Sequence, residues 1–114
     1  FVRLSARLKT TCQVLGAENP LATLTKDVSG GGMSLFTKAQ MAPGTVVGLD
    51  VRFPGREGSI RFTAQVMWSG ELISETPGPE GARFETGVRF LDIAPEDHAF
   101  ILRYAEHPPA RPGP

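Results

Sequence analysis

An all-β fold, a six-stranded antiparallel barrel with one helix at its C-terminal end, is what this 114-residue sequence predicts. Three observations carry that expectation. Residues 59 to 68 alternate strictly, with Ile60, Phe62, Ala64, Val66 and Trp68 on one side and Ser59, Arg61, Thr63, Gln65 and Met67 on the other. That is the period of a strand with one buried face. About six short segments of this kind recur, broken by glycine and proline, which is the pattern of a small antiparallel barrel. Only the end of the chain carries a helical pattern.

Taken in order, Leu8 to Leu15 alternates and places Cys12, the only cysteine, as a packed strand thiol. Leu21 to Val28 follows, and Gly32 to Phe36 returns across a short glycine-rich turn. Val47, Leu49, Val51 and Phe53 repeat the alternation, and Pro54-Gly55-Arg56-Glu57-Gly58 supplies hairpin-loop chemistry before residues 59 to 68. Trp68 is expected to close the apolar face of that strand and to be structural. Ser69 to Arg83, with two prolines, three glycines and four charged residues, reads as a long mobile hairpin loop. Phe84 to Leu91 is the last strand. Asp92 or Ala94 caps a helix with Pro95 in its first turn, Glu96 and Asp97 complement the amide dipoles, and Phe100, Ile101 and Tyr104 form its apolar stripe. The segment 108 to 114, rich in proline, forms neither helix nor central strand and reads as linker or frayed end, leaving 1 to 107 as the domain.

Composition bounds the function. With 12 basic and 12 acidic residues the formal charge is zero, which argues against a general DNA or RNA binder and against a basic membrane-surface protein. The distribution is uneven: residues 1 to 70 hold eight Lys/Arg against four Asp/Glu, and residues 71 to 114 hold four against eight. A positive first part suits a small anionic ligand. A single cysteine excludes an intrachain disulfide and a four-cysteine zinc site, and a reducing cytoplasm is the default. No apolar run approaches 18 residues and no leader pattern is visible, so neither membrane insertion nor export is expected. Opening on Phe1 and not Met, the chain reads as a fragment or a processed product.

The most informative stretch is Asp27-Val28-Ser29-Gly30-Gly31-Gly32. An Asp carboxylate can accept from paired N–H donors such as a guanine edge, Ser can donate or accept beside it, and glycine lets backbone N–H groups approach a bound group. By itself the stretch also suits an ordinary glycine turn between strands. Upstream, Arg3 and Arg7 are spaced R-x-x-x-R, and together with D-x-S-x-x-G this resembles the PilZ domain, a bacterial receptor module for cyclic di-GMP. Gln65-Val66-Met67-Trp68 and Gly87-Val88-Arg89-Phe90 are similar to the family's later strands, and Pro95-Glu96-Asp97 to the start of its final helix.

The resemblance implies a PilZ-like barrel and a ligand, cyclic di-GMP, held by Arg3, Arg7, Asp27, Ser29, Gly31 and Gly32. Arg3 and Arg7 would act from a flexible N-terminal segment, forking onto phosphates or guanine edges or stacking on a base. Asp27 and Ser29 would hold a guanine, and Gly32 would keep the turn open. Two registers stay open for the arginines. Either Arg3 and Arg7 are the motif pair, or Arg3 is its second member and the first lies before Phe1. In both registers a solvated surface charge remains the plain alternative, more so for Arg7.

Signals for catalysis are weak. His98 and His107 lack a metal-ligand spacing and read as surface histidines. Ser29 lies in no G-x-S-x-G elbow, and the three glycines are not followed by G-K-[ST], so neither acyl transfer nor nucleotide hydrolysis is expected. No cofactor, metal or catalytic group is expected. The reading is a cyclic di-GMP receptor that signals to a protein partner or neighbouring domain. Its alternative is a PilZ-type adaptor without ligand affinity, acting in motility or pilus assembly.

Overall fold

The protein is described by a computed structural model over residues 2–73, 78–79 and 81–108. The strands are β1 (Arg3–Ser5), β2 (Lys9–Val14), β3 (Leu21–Ser29), β4 (Gly32–Thr37), β5 (Val46–Arg52), β6 (Ser59–Glu71) and β7 (Phe84–Asp92), followed by α1 (Pro95–Glu106). All strand pairs are antiparallel, in the order β3-β2-β5-β6-β7-β4, and β4 pairs back onto β3. Six strands therefore close a barrel with no free edge, which is how a small all-β domain satisfies its backbone groups.

Inside, the predicted alternation is realised. Cys12, Val47, Leu49, Val51, Ile60, Phe62, Ala64 and Val66 are buried in one cluster with Val28, Met33 and Leu35 from the β3–β4 side. Burial pushes the Cys12 thiol up to about 11. Because that value lies above the unfolded one, the neutral thiol contributes stability that is fully present below about pH 9 and is lost as pH rises toward 11. Stability measured by denaturant titration is thus expected to fall between these pH values, less so in Cys12→Ala. Native Cys12 is expected to resist alkylation at pH 8 and to react once unfolded.

The seventh strand, β1, was not expected. Arg3, Leu4 and Ser5 pair with Ser29, Val28 and Asp27 along the same edge of β3 that β2 occupies further on. Between β1 and β2 the chain carries one residue more than β3 opposite it. Thr25 holds this irregularity together: its hydroxyl donates to the Ala6 carbonyl and accepts from Leu8 N–H, while its own N–H donates to the Leu8 carbonyl. The N-terminal segment is therefore anchored at Arg3–Ser5.

Two further expectations change. Strand β6 runs through Glu71, so the expected loop from Ser69 begins three residues late, and part of it, 74–77 and 80, lies outside the described residues. The proline-rich tail beyond residue 108 lies outside them as well. More consequentially, the β6–β7 register shifts between Val66 and Trp68. A bulge moves the side chains that follow it to the other face. Trp68, expected inside, is 40% exposed on the outer surface.

Helix α1 begins at Ala94 without a side-chain cap, with Pro95 at its start and Glu96 and Asp97 in the first turn. Ile101 and Ala105 are buried. Phe53, at the exit of β5, meets Phe100 and Tyr104 edge-on at 5.5 and 5.1 Å between ring centres. Asp97 forms an ion pair with Arg56, whose guanidinium also lies 5.0 Å over the Phe100 ring. The helix is thereby fastened to the β5–β6 hairpin at its first turn.

Candidate functional site

Asp27 and Ser29 lie two residues apart on β3 with Val28 in the core between them, so both side chains leave the barrel on its outer face. Strand β1 then brings Arg3 directly beside Ser29. Its Nη1 donates to both Asp27 carboxylate oxygens, at 3.3 and 3.5 Å. The arginine side chain is 63% exposed and the carboxylate 19%, so this ion pair holds little stability.

The turn after Ser29 is built by that residue. Its hydroxyl accepts from the N–H groups of Gly31 and Gly32, each at 3.3 Å, and donates to the Gly32 carbonyl at 3.1 Å. One donated and two accepted bonds exhaust a hydroxyl. Ser29 is thus engaged in shaping the turn. Gly32 has a different role from the expected one of keeping the turn open: a Cβ there would lie 2.0 Å from the Val88 carbonyl oxygen of β7. It is the absence of a side chain that lets β4 and β7 close.

A groove of about 280 Å³ runs beside this turn, lined by Arg3, Ser29, Gly31 and Gly32 on one side and by Met67, Trp68, Gly87 and Arg89 on the other. Trp68 lies against the backbone of Gly87, where a Cβ would come within 2.3 Å of the indole. Arg89 is held by its neighbour on β6, donating from Nε and Nη2 to Gln65 Oε1 at 3.0 and 2.7 Å. Trp68 and Arg89 line this groove although spacing did not single them out. Trp68 comes to it through the bulge, which alternation alone does not show, whereas Arg89 points outward by the ordinary alternation of β7.

Arg7 is not brought to this groove. It lies where the chain passes from β1 to β2, with its guanidinium 5.2 Å over the buried Phe36 ring, and it lines a separate hollow with Lys9, Arg52, Phe53 and Arg56. Larger cavities exist, one of about 670 Å³ beside Asp50 and Arg61 and an apolar one of about 580 Å³ beside Cys12, Phe36 and Met41. Neither includes a residue of the Asp27–Gly32 turn, and chemistry rather than volume singles out the smaller groove. Among the described residues no three His, Cys, Asp or Glu are placed to hold a metal ion, and no helix is long and apolar enough to cross a membrane.

The sequence profile of the PilZ domain matches residues 1–107. The chain belongs to the PilZ domain family. No curated protein matches it in sequence. Among solved structures it is similar to the Bacillus subtilis inhibitor of motility MotI/DgrA, with 23% identity and a TM-score of 0.74 over 92% of this chain and 47% of that one. It is similar as well to the PilZ domain of YcgR from Escherichia coli, solved with c-di-GMP, at 20% identity and a TM-score of 0.68 over 91% and 86% of the two chains. The MrkH–c-di-GMP complex of K. pneumonia is 16% identical with a TM-score of 0.57, over 87% of this chain and 47% of that one. The PilZ chain thus spans about half the length of MotI and of MrkH. These likenesses concern the fold.

With Trp68 on the outside, its replacement has a different expected outcome from that of a core tryptophan. Trp68→Ala is expected to cost about 1 kcal/mol of stability or less, well under the roughly 3–5 kcal/mol of a deeply buried tryptophan. A melting temperature lowered by far more than a few degrees would show that the indole is structural after all.

Proposed function

We propose that this PilZ domain is a receptor for cyclic di-GMP that binds its ligand across the groove between the Arg3–Asp27 pair and Trp68. The observation that carries the reading is the convergence on one outer surface of a carboxylate, two guanidinium groups and a half-exposed indole. Each matches a part of a cyclic dinucleotide. Asp27 can accept from a guanine N–H edge, Arg3 and Arg89 can neutralise phosphodiesters or fork onto O6 and N7, and Trp68 offers a flat face to a base. Ser29, Gly31 and Gly32 hold the turn that sets these groups apart. Arg7 contributes from outside the groove or not at all, which favours Arg3 as the second arginine of the motif.

The same geometry argues against chemistry at this site. The Ser29 hydroxyl is saturated by its own turn: its one proton goes to the Gly32 carbonyl, so it is not handed to a base as a nucleophile's would be. Binding is then read out by a protein partner or neighbouring domain in the bacterial cytoplasm. A second reading, an adaptor in motility or pilus assembly without ligand affinity, draws on the likeness to MotI, a protein described as an inhibitor of motility. Calorimetric titration with cyclic di-GMP separates the two. Saturable binding is expected, and absence of binding at millimolar ligand would leave the adaptor.

A further inference from the structure

The turn from Ser29 to Gly32 has no side chains of its own beyond Ser29, yet its carbonyls are tied at two points outside it. The Gly31 carbonyl accepts from Phe90 N–H of β7 at 3.3 Å. The Gly30 carbonyl lies 2.7 Å from Nε2 of His98, in the first half of α1. Expected at the surface, His98 is instead half-buried, with its ring edge-on to Phe90 at 5.6 Å. A carbonyl can only accept, so Nε2 carries the proton and donates. This is the bond that links the ligand turn to the helix. The residue before it, Asp97, grips Arg56 of the β5–β6 hairpin.

We infer that His98 is a positioning residue that fixes the Gly30–Gly32 turn from helix α1, so that filling the groove is transmitted to the helix. The inference rests on the cyclic di-GMP reading for its ligand, but the tether itself does not. A turn of three glycines has wide conformational freedom, and an external donor on Gly30 narrows it to the form in which Gly31 and Gly32 line one groove with Arg3 and Trp68. Any movement of Gly30 on binding loads or relaxes the His98 contact. Coupling of this kind is reciprocal: the factor by which ligand changes helix docking is the factor by which loss of docking changes ligand affinity.

The test uses two variants with opposite expectations. His98→Phe keeps an aromatic ring against Phe90 and removes the donor, whereas His98→Gln supplies an amide N–H at a comparable reach. Hydrogen exchange at Gly31 and Gly32 in the ligand-free protein is expected to rise about fivefold in the Phe variant and to return toward wild type in the Gln variant. With saturating cyclic di-GMP, amides of α1 from Ala99 to Ala105 in the wild type are expected to change their exchange rates. The Phe variant should lose that response and bind about fivefold more weakly. Unchanged exchange at Gly31 and Gly32 in the free Phe variant, or a Gln variant that behaves like Phe, overturns the tether whether or not the protein binds ligand. Binding by the wild type with no response in α1 overturns the transmission and leaves the receptor reading standing. Absence of cyclic di-GMP binding overturns the receptor reading and, with it, transmission of that ligand, while the free-protein comparison still decides the tether. Should the Phe variant fail to fold, the Gln variant and the wild-type helix response carry the decision.

Discussion

Gly32→Ala is expected to destabilise the domain by roughly 3–5 kcal/mol, a large part of the total for a chain of this size. The added methyl would sit 2.0 Å from the Val88 carbonyl oxygen and 3.0 Å from the Arg89 Cα, both backbone atoms of β7. Backbone cannot rotate away as a side chain can. Relief requires β4 and β7 to separate around the Gly32–Arg89 and Met33–Val88 pairs, and each ladder bond lost there costs about 1 kcal/mol. Gly87→Ala is the informative comparison, because the atoms within 2.3–2.7 Å of its added methyl belong to the Trp68 ring, which is half-exposed and free to swing outward. It should cost much less stability while disturbing the groove. Thermal melting distinguishes them: a Gly32→Ala protein that melts within about 2 °C of wild type would show that β4 and β7 do not need the glycine.

Gly32 also marks the limit of what residue spacing conveys. A glycine in third position after a serine can be expected at a turn, but its reason here lies on a strand distant in sequence and is visible only in the packing. The barrel was legible for the opposite reason. Where one face of a strand is buried, as for Ile60, Phe62, Ala64 and Val66, the period of two is imposed residue by residue and survives in the sequence. It fails one step later, at Trp68, because a bulge reverses the phase without any local signal such as glycine. Strand β1 was unreadable because three residues carry no period. Asp27 and Ser29 could be placed together, since positions i and i+2 share a face. Arg3 and Arg7 could not, since the extra residue between β1 and β2 turns the chain between them. His98 gave no sign of its contact with Gly30, which depends on how α1 docks.

Asp27→Ala is expected to weaken cyclic di-GMP binding by about 1.5–3 kcal/mol, or roughly 10- to 150-fold, with the fold left cooperative. The carboxylate is four-fifths buried, yet its pairing is with Arg3, a side chain exposed enough to leave. Stability should therefore change by no more than about 1 kcal/mol, since an ion pair with one exposed partner contributes little. Affinity has more to lose, because in the proposed complex the ligand would exchange that pair for charge-assisted bonds to both residues. Arg3→Ala is expected to weaken binding by a comparable factor at fixed salt. Arg7→Ala should leave affinity within about twofold, since its guanidinium lies over Phe36 and lines a different hollow. The three variants together test the register of the arginine motif. If Arg7→Ala loses as much affinity as Arg3→Ala, the arginines act as a pair and the N-terminal segment must rearrange around the ligand; if Asp27→Ala binds as tightly as wild type, the carboxylate does not contact the guanine.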